Sequence, residues 1–281
     1  MKLASIISNG KNEHFVSIQN TLWQKLDESV SELSLVELIN NPNKIILDEK
    51  SQPISDSDFT NQLLNAKSIV PPTANIWGAG LNFNNHANDL STEQPSSGPG
   101  SYLRPNSCLM DNQSDIILPK QSKRVTAEAE LGLVIGKACK NVKRENWRDV
   151  VCAVTTVLDL TAEDIIRENP RYIPWAKGFD TFCSIGPQLI TLDEFEPGVL
   201  EQLSVSTVRN GETIATAKVC QMLYDLPYLV EYFSAGRTLA PGTIICTGTP
   251  GAAVIKEGDH VEAIVEKVGR LSHRVTAAQS E

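Results

Sequence analysis

The chain of 281 residues is short of cations, with 25 lysines and arginines against 34 aspartates and glutamates and a formal net charge of −9. Binding to a phosphate backbone depends on clustered cations that release counterions, so no nucleic-acid partner is expected. Its six cysteines, Cys108, Cys139, Cys152, Cys183, Cys220 and Cys246, include no CxxC pair, which excludes a zinc ribbon. They sit in apolar runs such as DVVCAVTTV and GTIICTG and read as reduced, buried thiols of a cytoplasmic protein. No apolar run approaches the length of a membrane-spanning helix, and the stretch before Ser8-Asn9-Gly10 is too short for the apolar core of a signal peptide. Gly78-Ala79-Gly80 lacks the third glycine and following helix of a dinucleotide fingerprint, GTGTPG lacks the lysine of a P-loop, and there is no internal repeat.

With 41% hydrophobic and 21% charged residues, the chain has ample material for a core. The first seventy residues differ in texture from the rest. KLASII and HFVSIQ flank the Asn9-Gly10-Lys11 turn and predict a hairpin. Ser34 followed by Glu37 has the spacing of a capping box, so a short helix is expected there. Pro71-Pro72 biases the chain towards extended structure and marks a division into a small N-terminal α+β domain, 1–71, and a main domain, 72–281. From Asn75 onward short strands dominate: TAEAELGLVIG, VCAVTTVLDL, LSVSTV and TIICTG, and then the period-two tail EGDHVEAIVEKVGRLSHRV. The expected fold class is therefore mixed α/β, mostly β. One long segment, NNHANDLSTEQPSSGPGSYLRPN, is dense in Gly, Ser, Pro and Asn and reads as an irregular loop, either a binding element or an inert linker.

Strand periodicity sends Glu128 and Glu130 to the same face of TAEAELGLVIG. Two carboxylates that close repel unless a cation offsets them, and a hard divalent metal is the usual partner; a solvated strand face is the plainer alternative. Asp159, at the end of VCAVTTVLDL, would add a third carboxylate at a strand terminus and leave positions for water and substrate. Glu163 and Asp164 beyond it suit a helix start. His86 and Asp89 in the long loop have a three-residue spacing that would let Asp89 orient the imidazole as a base for water, or they are simply surface neighbours. Lys177, in PWAKGFDTFCSIGP, would stabilise an anionic intermediate or be a solvated loop lysine. His14, His260 and His273 stand in ordinary hairpin or strand contexts.

In order along the chain, WGAGLNFNNHANDL, SYLRPNSCLM with DIILP, AEAELGLVIGKACKNV, LDLTAEDIIRENPRYIPWAKGFDTFCSIGP and FSAGRTLAPGTIICTGTPGA followed by EGDHVEAIVEKVGRL resemble the blocks of the fumarylacetoacetate hydrolase family. The resemblance implies a rolled mixed sheet, a homodimer, and a divalent metal, Mg2+ or Mn2+, held by Glu128, Glu130 and Asp159. It implies that His86 and its acidic neighbour belong to a lid. Lys177 would face the substrate oxyanion, while Arg104, at a position often lysine, and Thr249 would hold the substrate. Three positions depart from the family pattern: Asp89 where glutamate is usual, Glu163 where arginine is common, and Ala215 where glutamine is frequent.

The function so implied is metal-dependent hydrolysis of a carbon–carbon bond in an acylpyruvate or a related 1,3-dicarbonyl 2-oxoacid. Decarboxylation of an oxaloacetate-like acid and keto-enol tautomerisation use the same enolate, and a non-catalytic family member that keeps the fold is a third reading.

Overall fold

The structure, a computed structural model, describes residues 1–18, 21–71, 74–83 and 96–278. The N-terminal section contains β1 (Lys2–Ser8), β2 (Lys11–Ile18), β3 (Leu22–Lys25), α1 (Leu35–Asn40), β4 (Ile54–Ser55) and α2 (Asp56–Gln62). The β1–β2 hairpin turns at Asn9 and Gly10, with φ of 50° and 76°, the left-handed pair that a two-residue hairpin loop needs. At α1 the Ser34 hydroxyl accepts from the Glu37 amide and the Glu37 carboxylate accepts from the Ser34 amide, closing the expected capping box.

After Pro71 come β5 (Ile76–Gly80), β6 (Gly100–Arg104), β7 (Leu109–Met110), β8 (Ile116–Leu118), β9 (Val125–Ile135) and β10 (Val151–Ala162). Next are α3 (Glu163–Glu168), α4 (Ile173–Ala176), β11 (Cys183–Thr191), α5 (Val199–Gln202), β12 (Ser204–Arg209) and β13 (Glu212–Lys218). The chain ends with α6 (Leu226–Ser234), β14 (Ile244–Cys246), β15 (Ala252–Ile255), β16 (His260–Val265) and β17 (Gly269–Ala277).

Among the described residues the strands form two mixed sheets, one of 12 strands in the order β4-β3-β2-β1-β11-β10-β9-β14-β5-β6 with β15 on β9 and β7 on β11, the other of 5 in the order β13-β12-β16-β17-β8. The long central strands β9 and β10 pair antiparallel and are almost wholly buried, and β9 packs against β12 and β16 of the second sheet. A strand covered on both faces has no solvated side, so the glutamates of β9 lie inside the molecule. The N-terminal section joins this framework through β1, which pairs with β11 at Leu3 and Leu189. Its strands serve two cores: Leu3 and Val16 enter the main one, whereas Ala4, Ile6, Phe15, Trp23, Phe59 and Ala66 form a small cluster. Within that cluster the Trp23 ring stacks on Phe59 at 4.3 Å.

Four local expectations are corrected. SYLR, read as part of an irregular loop, is strand β6, paired with β5 across two facing glycines. The alternating tail is two strands, β16 and β17, because both limbs of a hairpin carry the same period. Asp159 lies three residues inside β10 rather than at its end. Cys220 is exposed, while Cys108, Cys183 and Cys246 are buried and all six thiols are free.

Candidate active site

The register of β9 against β10 builds the acidic centre. Asp159 faces Glu128 directly and Val157 faces Glu130, so the three carboxylates share one patch of sheet. One oxygen from each lies within 4.8 Å of the others, and all three residues are buried. Each is held by a neighbour. Thr126 Oγ1 donates to Glu128 Oε1 at 2.9 Å, and the Gly248 amide donates to Glu130 Oε2 at 2.8 Å. Gly248 has a φ of +98°, and a Cβ there would press on Asn82 Cβ and the Ala79 carbonyl, so the close approach of this turn to the site requires glycine.

Asp159 is the most heavily engaged. Lys177 Nζ donates to its Oδ1 at 2.7 Å, the Arg104 guanidinium pairs with the same oxygen, and the Tyr102 hydroxyl donates to Oδ2. Burial pushes the Asp159 carboxyl upward, but the charges of Arg104 and Lys177 outweigh it and hold the group below the usual carboxylate range. Among the described residues Glu130 has no ion-paired cation of its own, although the Lys177 charge acts on it. Burial first, and then the neighbouring Asp159 charge, push its carboxyl well above the ordinary value. Lys177, at the C-terminal end of α4, is not a solvated loop lysine: it is 7% exposed and also donates to Thr161 Oγ1 at 2.7 Å, with Glu128 Oε2 at 3.4 Å. Burial would lower its ammonium, but Asp159 and Glu128 more than compensate and raise it.

The three carboxylates fit a divalent cation. They offer three hard oxygen donors within 4.8 Å of one another in a buried patch, and Lys177 and Arg104 supply only two positive charges against three carboxylates.

Arg104 is placed differently from a substrate contact. Its side chain has no exposure, and besides Asp159 its donors reach the Lys177 carbonyl, the Phe182 carbonyl at 3.1 Å and the Leu160 carbonyl at 2.9 Å. These are the surroundings of a residue that fixes Asp159. Thr249 is buried beside Gly248, and its hydroxyl donates to the Gly251 carbonyl at 3.0 Å, closing the TGTP turn. His86 and Asp89 lie outside the described residues.

Tyr102 belongs to the site as well, although within SYLRPNSCLM only Arg104 reads as a functional residue. In GSYLR it stands two residues from Arg104 and therefore on the same strand face. Its ring lies over Gly78, its partner across the β5–β6 ladder. Lys177 Nζ is 4.7 Å from the ring centroid, within cation–π range.

A cavity of about 440 Å³ opens over this patch. It is lined by polar side chains, among them Glu128, Lys177, Tyr102, Thr161, Glu163 and Arg167, and by the apolar side chains Leu81, Ile166, Pro170 and Ile173.

Residues 75–276 match the model of the fumarylacetoacetate hydrolase C-terminal domain, and the chain belongs to that family. It is 28% identical over 279 residues to an oxaloacetate tautomerase of Bacillus subtilis, covering 90% of this chain and 91% of the relative. It is 31% identical over 212 residues to a 2,4-didehydro-3-deoxy-L-rhamnonate hydrolase of a Sphingomonas species, covering 72% and 73%. The fold is that of the fumarylacetoacetate hydrolase of Exiguobacterium antarcticum, with a TM-score of 0.83 at 24% identity over 99% of this chain and 100% of that one. Its enzymatic relatives thus include both hydrolases and tautomerases.

Proposed function

We propose that the protein is a metal-dependent hydrolase that cleaves a carbon–carbon bond in an acylpyruvate or a related 1,3-dicarbonyl 2-oxoacid. The observation that carries this reading is the position of the Lys177 ammonium, buried against two of three clustered carboxylates and lining a cavity that also carries apolar side chains. A divalent ion, Mg2+ or Mn2+, held by Glu128, Glu130 and Asp159 would supply a Lewis acid for the carboxylate and 2-oxo oxygens of such an acid.

The chain's own residues do the rest. Tyr102 and Arg104 fix Asp159. Lys177 presents its positive charge where negative charge develops as the electron pair of the breaking bond moves into an enolate. In hydrolysis, water adds to the distal carbonyl and loses a proton to a base, for which His86 oriented by Asp89 is the candidate. The C3–C4 bond then breaks, the distal fragment leaves as an acid, and protonation at C3 completes pyruvate. Leu81, Ile166, Pro170 and Ile173 would receive an acyl chain, which a bare four-carbon acid does not have.

A second reading, tautomerisation or decarboxylation of an oxaloacetate-like acid, is favoured by the similarity to the oxaloacetate tautomerase. It needs the enolate site but no attacking water. The two separate in a panel of 2,4-dioxopentanoate and oxaloacetate assayed with and without chelator, reading pyruvate, carbon dioxide and enol absorbance together. Hydrolysis predicts chelator-sensitive pyruvate release from the diketo acid that His86→Ala abolishes. Oxaloacetate turnover that survives His86→Ala, with no diketo-acid cleavage by the unmodified protein, establishes the second reading. Metal binding with no turnover of either acid would mark a non-catalytic member. The homodimer and the cytoplasmic setting belong to the same proposal; among the described residues no helix is long and apolar enough to cross a membrane.

A further inference from the structure

Two threonines stand one step beyond the carboxylates on the paired strands. Thr161 follows Asp159 by two residues on β10 and therefore shares its face, and across the ladder Thr161 faces Thr126 as Asp159 faces Glu128. Both threonines are buried, and their hydroxyls are used in opposite ways. Thr126 Oγ1 donates its hydrogen to Glu128 Oε1 at 2.9 Å, whereas Thr161 Oγ1 receives one, from Lys177 Nζ at 2.7 Å. An ammonium has three N–H donors and no lone pair, so the direction of that bond is fixed: the hydroxyl oxygen accepts, and its own hydrogen points elsewhere. Among the described residues no acceptor takes that hydrogen. Thr161 lines the cavity together with Lys177, Glu128, Thr126 and Tyr102, and the Tyr102 hydroxyl is already committed to Asp159. The Thr161 hydrogen is thus left for an oxygen inside the cavity. Lys177 is less free: its other two hydrogens face Asp159 Oδ1 at 2.7 Å and Glu128 Oε2 at 3.4 Å, so it acts on a bound anion chiefly through its charge.

We infer that Thr161 is a further catalytic residue, whose hydroxyl donates a hydrogen bond to the substrate oxygen that becomes the enolate oxygen, beside the charge of Lys177. The inference rests on the 2-oxoacid reading of the same site. It holds for every reaction that passes through the enolate, because each places negative charge on that oxygen. No proton is transferred: the hydroxyl keeps its hydrogen, and the bond tightens as the oxygen changes from a neutral carbonyl to a charged, stronger acceptor. The donor is also held ready before the substrate arrives. A β-branched side chain on a buried strand has few rotamers, and the ammonium of Lys177 fixes the direction of the oxygen.

The test uses Thr161→Val, which keeps the shape of the side chain and removes the hydroxyl, and Thr161→Ser, which keeps the hydroxyl, both on the metal-loaded protein. Thr161→Ala takes the place of valine if that variant does not fold. With 2,4-dioxopentanoate or oxaloacetate as substrate, T161V should lower kcat by about 10- to 100-fold with little change in KM, and T161S should stay within about threefold of the unmodified protein. T161V also removes an acceptor from Lys177, and the Lys177→Met background separates the two roles. A threonine that merely holds Lys177 adds no loss there, whereas direct contact with substrate predicts a further loss of about tenfold. Calorimetry reads the same contact without turnover. Oxalate presents a charged oxygen where pyruvate presents a neutral carbonyl, so T161V should weaken oxalate by about tenfold and pyruvate by less than about threefold. That discrimination in a protein that turns over neither acid would contradict the enzymatic readings and uphold the contact. An unchanged kcat in T161V, no further loss in the K177M background, or equal weakening of oxalate and pyruvate would overturn the inference.

Discussion

Gly78 is the residue whose replacement tests the architecture of the site most sharply. It faces Tyr102 across the β5–β6 ladder, and a Cβ placed on it would fall within the phenol ring, whose Cζ and Oη are its nearest atoms. Its backbone does not need glycine's conformational freedom, so the requirement is space alone. Gly78→Ala must therefore push the buried ring aside and take its hydroxyl from Asp159. Overpacking a core costs about 1–3 kcal/mol, and losing a hydrogen bond to a charged group about 1.5–3 kcal/mol. Against this, alanine returns about 0.5–1 kcal/mol of strand stability relative to glycine. The net loss should be about 1.5–5.5 kcal/mol in urea unfolding of the chelator-treated protein. Divalent-metal affinity should fall by about tenfold or more as Asp159 loses an orienting partner. Tyr102→Ala makes the space available, so in that background Gly78→Ala should cost little, a coupling of about 2 kcal/mol. Gly80→Ala, whose Cβ would meet the Gly100 carbonyl at 3.3 Å, should be milder. If G78A is as stable as the unmodified protein, or if its cost is the same with and without Tyr102, the ring does not lie where its hydrogen bond to Asp159 requires.

Two further predictions concern buried charge. His273 is 1% exposed, its Nδ1 faces the Ser114 carbonyl at 2.9 Å and its Nε2 has no partner among the described residues, so a second proton would be buried without an acceptor there. Burial accordingly holds its imidazole down at about 4 from the ordinary 6.5. The folded state then binds fewer protons than the unfolded one: the stability is fully present above pH 6.5, declines as pH falls, and is lost by about pH 4. At 1.36 kcal/mol per unit this amounts to about 3 kcal/mol. His273→Asn keeps a donor for Ser114 and should show that much less acid destabilisation when the two proteins are unfolded in urea at pH 7 and pH 4; parallel losses would refute it. Lys177→Met should bind metal at least as well, because a competing cation has gone, yet turn over about 100-fold more slowly. An unchanged kcat would remove Lys177 from the chemistry.

What the sequence reveals and what it hides divide along physical lines. The Asn9-Gly10 hairpin, the Ser34–Glu37 capping box and the shared face of Glu128 and Glu130 are set by neighbours a few residues away, and each is visible in the string. Strand β6 is hidden because its residues follow a run of Gly, Ser and Pro, and its pairing depends on the fit of Tyr102 against Gly78, which no local pattern encodes. The burial of Arg104 and Lys177 is equally long-range. Both read as cations near loops, and only the folding of β6 and α4 over β10 turns them inward to the same oxygen of Asp159. Asp159 itself reads as a strand end because charge closes an apolar run, but Thr161 and Ala162 continue the ladder against Thr126 and Val125.

The central claim is that Glu128, Glu130 and Asp159 hold one divalent cation that the chemistry requires. The direct measurement is calorimetric titration of Mg2+ and Mn2+ into chelator-treated protein, unmodified and Glu130→Ala, with turnover of 2,4-dioxopentanoate and oxaloacetate followed on the same samples. The account predicts one ion per chain, no turnover without it, restoration on its return, and loss of both binding and turnover in E130A. Full turnover in the metal-free protein, or undiminished metal binding by E130A, would contradict it.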